Sequence, residues 1–271
     1  MSTAVLSWTE PVLVLSYDLH VHPGPSETPR WGSGVDVQRA AEAAGVRGFV
    51  WKAHERHTPR LCAELPASHV RAFGSASLNP WSALGDVREA LADGAAWLWG
   101  PTASAAGEIA WELELPPHWS ELEEVLRELE RPLVLATGHL GARGRGLFAN
   151  IAAASPHLLC SVTHTLYVAP PELLELAAQG AVFEIDAYTL RHDLPGRKRH
   201  SPQDTVSALQ SVGALVYFTS DGGQAGTGNP FVFGAETLDE LEALIGHAHA
   251  EELGVAGPSA IVAWLDGKAP L

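Results

Sequence analysis

Short runs rich in Val, Leu, Phe and Trp alternate along this chain with stretches whose apolar residues recur every third or fourth position. The first kind has the length and composition of buried strands, and the second has the period of a helix lying on a core. Each pair occupies roughly 25 to 40 residues. The runs predict strands at 12–22, 47–54, 70–77, 95–101, 132–139, 158–164, 181–187 and 214–220. Between and after them, helices are predicted at 35–45, 58–65, 82–93, 120–129, 145–154, 170–179, 202–212, 236–252 and 258–266. Local chemistry marks several ends. Gly45, Gly94 and Gly180 stand where helices stop, Ser201 with Pro202 opens another, and Ser120 with Glu123 forms a capping box. The stretch 103–117 is irregular and long enough to form a lid.

Strands this apolar need cover on both faces, and eight strand–helix units predict a closed (β/α)8 TIM barrel. An open, doubly wound sheet is the alternative. It is weakened because no G-x-G-x-x-G turn follows the first strand. The chain has 271 residues, 46% of them hydrophobic, which suits one core and one domain over 1–271. A formal charge of −15 argues against nucleic acid or an anionic membrane as partner. No apolar run reaches membrane-spanning length. Cys62 and Cys160 are the only cysteines, so a disulfide framework is not expected and a reducing, cytoplasmic setting is. The expected partner is a small-molecule substrate, and the sequence leaves room for a homo-oligomer.

In such a barrel the working residues sit at the carboxyl ends of the strands. Alternation puts His20 and His22 on one face, with Asp18 one step below, and Pro23-Gly24-Pro25 stops the strand there. Alone, this H-x-H is a weak signal and reads more readily as two ordinary histidines near a turn. The other strand ends change that. The second carries Lys52 and His54, the fifth His139, the sixth His164 and the eighth Asp221, while Glu184 and Asp186 share a parity on the seventh. Nitrogen and carboxylate donors on one rim suit a divalent cation, Zn²⁺ first and Fe²⁺ or Mn²⁺ next. Arg143 and Arg145 follow the fifth strand, and a basic cluster from Arg191 to His200 follows the seventh. In a chain with only 17 Lys and Arg, this predicts an anionic substrate bound by Arg143, Arg145, Arg191 and His54. The plainer reading is a set of charged surface loops. Trp51 has the parity of the helix side, and for Trp97 and Trp99 core packing is the better reading, with lining the pocket as the alternative.

The H-x-H, the single histidines ending strands five and six, and the aspartate ending strand eight resemble the amidohydrolase superfamily of metal-dependent hydrolases. More closely, Asp18-Leu19-His20-Val21-His22-Pro23-Gly24-Pro25, Lys52-x-His54, Trp99-x-Pro101-Thr102, Thr137-Gly138-His139-Leu140 and Ser220-Asp221-Gly222 are similar to a group of short amidohydrolase-type proteins of largely unassigned function. The resemblance implies that His20, His22 and Asp221 hold a first ion, with His139 and His164 holding a second or dividing between ligand and catalytic roles. Many such proteins bridge two ions with a carboxylated lysine or a glutamate ending strand four. Here that strand ends Trp97-Leu98-Trp99-Gly100-Pro101-Thr102, so Lys52 or Glu184 would have to substitute, and one ion fits as well as two. The implied chemistry is hydrolysis of an amide, cyclic amide or lactone of a small anionic molecule. Asp221 would act as proton acceptor, with Lys52 or His164 polarising the carbonyl. A metal-dependent lyase on the same site and a barrel that binds without turnover are the other readings.

Overall fold

Why the runs pair as they do is visible in a computed structural model, which describes residues 13–115 and 121–271. The strands are β1 (Asp18–Val21), β2 (Gly48–Trp51), β3 (Arg71–Ser77), β4 (Trp97–Trp99), β5 (Leu133–Ala136), β6 (Leu158–Val162), β7 (Val182–Asp186) and β8 (Val216–Thr219). They pair in parallel, each with its neighbour in sequence. Val21 bridges Gly222, and the His22 N–H donates to the Gly222 carbonyl at 2.9 Å, which brings β8 back to β1. The result is the expected (β/α)8 barrel.

The helices are α1 (Gly34–Ala44), α2 (Pro59–Ala63), α3 (Leu84–Ala92), α4 (Leu122–Arg127), α5 (Ala142–Ala153) and α6 (Pro170–Ala178). They continue with α7 (Ala187–Arg191), α8 (Pro202–Ser211), α9 (Pro230–Ile245), α10 (His247–Glu251) and α11 (Gly257–Leu265), with a π-helical turn at Glu252–Ala256. Gly45 and Gly180 follow α1 and α6 at φ 72° and 82°, the left-handed conformation that ends a helix. Ser201 caps α8 by accepting from the Asp204 N–H. The Ser120 cap, Val12 at the start of the first run and the segment Met1–Pro11 lie outside the described residues. The last long helix begins at Pro230 rather than 236, because Asn229 accepts the Phe231 N–H at 3.0 Å and Pro230 fills the first position. The short α7 was not expected; Asp186 caps it through the Thr189 N–H at 2.7 Å.

Strands are shorter than the apolar runs at their carboxyl ends. His22, Lys52, His54, His139, His164 and Asp221 therefore stand one to three residues beyond the last ladder position, where the chain is free to turn them inward. One irregularity matters below. Four residues of β1, Asp18 to Val21, oppose three of β2, Phe49 to Trp51, and Leu19 joins the interior cluster. Asp18 does not lie beneath the histidines as a regular strand would put it. Its carboxylate turns to β8 and accepts from the Ser220 N–H at 3.0 Å and from the Thr219 hydroxyl.

Val50, Phe73, Trp97, Val134, Leu159, Val182 and Tyr217 fill the barrel, and Ile261 and Val262 of α11 pack into the same cluster. Arg71, first residue of β3, pairs with Asp266, which places α11 across the amino-terminal end. Trp51 faces the helices, where a Cβ on Gly34 would come within 2.2 Å of its ring.

Gly100 and Gly138 bring β4 and β5 together below the rim. A Cβ on Gly100 would lie 2.4 Å from the Thr137 carbonyl oxygen, and Gly138 sits at φ 58°. Backbone cannot yield as a side chain does, so Gly100→Ala is expected to lose roughly 2–4 kcal/mol, or roughly 4–15 °C in Tm. Gly146→Ala in α5 meets no atom within 4 Å and should melt at or above the parent temperature. Circular dichroism melts of the two variants check this.

Candidate metal centre

His20 and His22 reach the barrel axis from the rim of β1. Asp221 meets them from the loop after β8. His20 Nδ1 lies 3.2 Å from both carboxylate oxygens of Glu184, and Glu184 in turn accepts the Tyr217 hydroxyl at 3.3 Å. Burial above all holds the His20 and His22 imidazoles well below their usual pKa, so each carries one ring proton at neutral pH. With Glu184 ionised, its carboxylate facing Nδ1 places that proton on Nδ1. Nε2 of His20 then presents a lone pair 3.2 Å from Asp221 Oδ1. Burial favours the protonated form of Asp221, whose proton fills this gap when no cation is bound, and a divalent ion would displace that proton and take both atoms as ligands.

Asp221 Oδ1 is also 2.9 Å from His22 Nε2. Two imidazole nitrogens and one carboxylate oxygen at these separations form the donor set of a three-ligand site with an open position, so the residues present fit a divalent ion. Lys52 is the alternative cation. Its Nζ lies 3.1 Å from His20 Nε2 and 4.3 Å from the centroid of the Trp99 ring. Burial pulls the Lys52 ammonium down to about 8, against the pull of Asp221 and Glu184. Burial likewise pushes Glu184 up to about 8 and Asp221 well above the usual carboxylate range.

A second group stands beside the first. His164 Nδ1 lies 3.0 Å from Asp186 Oδ2, and Asp186 is held by the Thr189 N–H at 2.7 Å and the Thr189 hydroxyl at 2.7 Å. One ligand atom from each of His164, Asp186 and Asp221 lie within 4.8 Å of one another, so Asp221 belongs to both groups. His164 and Asp221 have φ of 52° and 46°, a conformation that side chains other than glycine adopt at a cost and that clusters at functional sites. His139 donates from Nδ1 to the Ala110 carbonyl at 2.7 Å, which leaves Nε2 as its acceptor. His54 Nδ1 meets the Thr102 hydroxyl at 2.7 Å, and its ring stacks on His22 with centroids 4.9 Å apart.

Over these groups lies a cavity of about 420 Å³ lined by His22, Lys52, His54, His139, His164 and Asp221, together with Gln224 and five less polar side chains. His20 lies beneath it, fully buried. The arginines expected to bind substrate are elsewhere. Arg145 is buried against Glu172, with its Nε 2.6 Å from Oε1, and also donates to the Leu140 carbonyl. Arg191 pairs with Glu240 at 2.7 Å, and Arg143 lines a different depression beside Glu114. None of the three lines the cavity. Sequence reading underrated Asp186, whose signal was its shared parity with Glu184. It did not single out Tyr188, Gln224 or Trp111, whose ring stacks on His139 at 3.7 Å.

In sequence, residues 16–184 match the profile of a Family of unknown function (DUF6282). No curated protein matches the chain. Among solved structures, a probable 2-pyrone-4,6-dicarboxylic acid hydrolase from Acinetobacter baumannii is 11% identical, with a TM-score of 0.56 over 91% of this chain and 98% of its own. A TatD homologue from Escherichia coli is 15% identical, with a TM-score of 0.56 over 92% and 96%. A prolidase complexed with N-methylphosphonate-L-proline is 10% identical, with a TM-score of 0.60 over 94% and 75%. What is shared at such identities is the barrel.

Proposed function

The chain belongs to this family of unknown function (DUF6282), and we propose that it is a metal-dependent hydrolase of a carbon–nitrogen or carbon–oxygen acyl bond in a small molecule. The observation that carries the reading is the cluster of three potential ligand atoms, with His20 Nε2 and His22 Nε2 at 3.2 and 2.9 Å from Asp221 Oδ1. The resemblance of the strand-end residues to the amidohydrolase superfamily supports the same conclusion.

One divalent ion, zinc by preference, would be held by His20, His22 and Asp221. Bound there it lowers the pKa of its water from 15.7 toward about 7 and polarises a carbonyl. The chain's own groups do the rest. Glu184, backed by Tyr217, fixes the His20 tautomer. Gln224 donates to Asp221 Oδ1 at 2.9 Å and orients that carboxylate. The remaining Asp221 oxygen takes a proton from water and returns it to the departing amine or alcohol. His164, oriented through Nδ1 by Asp186, presents Nε2 to the cavity, and Lys52 stands ready to stabilise charge on the carbonyl oxygen.

A panel of small amides, lactams and lactones in H₂¹⁸O tests this. Zinc-loaded protein is expected to place one solvent oxygen in the carboxylate product, to stop on chelation and to recover on adding zinc. Carbon dioxide release without solvent oxygen would point to a lyase instead. Purified protein that retains less than about one-tenth equivalent of any transition metal, and gains none on dialysis against zinc, would end the metal reading.

A further inference from the structure

The cavity over the metal centre is two-sided. Its floor is polar, made by the histidines, Lys52 and Asp221. Its outer wall is Ile109 and Trp111 from the stretch before α4, Tyr188 of α7, and Leu194 and Pro195 from the loop before α8. Ile109 remains 54% exposed although it stands at the mouth. The wall is fixed in place. Leu113 pairs with Leu140, Glu112 meets Arg197 at 2.5 Å, and Trp111 packs on His139.

Among the described residues no Lys or Arg lines that wall. Arg145, Arg191 and Arg197 are each held by a carboxylate. Arg199 is held by the Thr189 carbonyl at 2.8 Å. Arg30 approaches the Asp221 side, but it does not line the cavity, and its Nε and Nη2 are covered with almost no exposed surface. Among the described residues Lys52 is the one Lys or Arg on the lining, and it sits at the floor against His20. An anionic group at the outer end would lose its water and gain no partner there.

From this distribution we infer that the substrate carries an uncharged apolar group, aryl or branched alkyl, beside its scissile bond, seated against Ile109, Trp111, Leu194 and Pro195. The inference rests on the hydrolase reading for the scissile bond alone; the apolar subsite exists without a metal. It replaces the anionic substrate that the arginine-rich loops predict, because those guanidinium groups are already paired.

Three probes test it on the full-length, zinc-loaded protein by calorimetric titration: phenylacetamide, acetamide and the 4-sulfonate of phenylacetamide. Burying one face of a phenyl ring is expected to make phenylacetamide bind about tenfold or more tightly than acetamide. The sulfonate should bind about tenfold or more weakly than phenylacetamide, since its charge meets the apolar wall. Ile109→Asp and Leu194→Ala should each weaken phenylacetamide, the first by about tenfold, with metal content unchanged. A sulfonate that binds as tightly as phenylacetamide would overturn the proposal, as would equal affinity for phenylacetamide and acetamide, or wall variants without effect. The ring preference should persist in zinc-free protein, so failure of the hydrolase reading would leave it standing.

Discussion

Exchanging Asp221 for asparagine is expected to lower turnover by about 10³-fold or more while leaving the fold intact. Both halves follow from its surroundings. Asp221 Oδ1 faces His20 Nε2 and His22 Nε2 at 3.2 and 2.9 Å, and its other oxygen is the proton acceptor of the proposed reaction. An amide offers one weak neutral ligand and accepts no proton. The backbone is indifferent to the change, since Asp221 sits at φ 46° and asparagine tolerates the left-handed region better than most residues. Gln224 keeps an oxygen to donate to, and a buried carboxylate that burial already disfavours is gone. Steady-state kinetics on the best substrate of the panel, with a thermal melt of the same sample, measures both. Activity within about tenfold of the parent would remove Asp221 from the reaction.

His20→Ala is expected to abolish metal binding and to destabilise the protein as well. The imidazole is the central member of a buried chain that runs from Tyr217 through Glu184 to His20 and then Lys52 and Asp221. Truncation removes a ligand and opens a void above Trp99, whose ring lies 4.5 Å from that of His20. It also leaves Glu184 with only the Tyr217 hydroxyl at 3.3 Å and the His164 N–H at 3.4 Å. Because burial already holds Glu184 up to about 8, it takes a proton rather than remain a bare charge. The expected loss is therefore roughly 2–4 kcal/mol, or roughly 4–15 °C in Tm, rather than the larger cost of an isolated buried ion. Adding Glu184→Gln should recover part of that stability without recovering metal, since the two residues touch and their effects do not add. Elemental mass spectrometry and scanning calorimetry separate the two readouts. Full zinc occupancy in His20→Ala would exclude it as a ligand.

How legible the molecule is in its sequence depends on how local each signal is. The eight apolar runs and their helical partners carry the barrel because each strand is buried on both faces and pairs with its neighbour in sequence. The convergence of His20, His22, His139, His164 and Asp221 follows from strand alternation and from a barrel's habit of gathering strand ends. The pairing of the arginines is hidden for the opposite reason. Nothing near Arg145 in the chain announces Glu172 on α6, and nothing near Arg191 announces Glu240 on α9, so their charges look free until the helices are placed. The bulge that turns Asp18 toward β8 is likewise hidden, because its cause is the closure of β1 against a strand some two hundred residues away.

The placement of α11 governs how molecules would travel through the protein. Ile261 and Val262 stopper one end of the barrel, and the tryptophans and tyrosine above them fill its middle. The chamber over the histidines is thus closed on the α11 side and opens toward the exposed Ile109 and Pro195. In the proposed reaction, products would leave on the side from which the next molecule enters. Departing fragments should accordingly compete with incoming substrate, and the fragment that clings to that side should set the pace when the chamber is saturated.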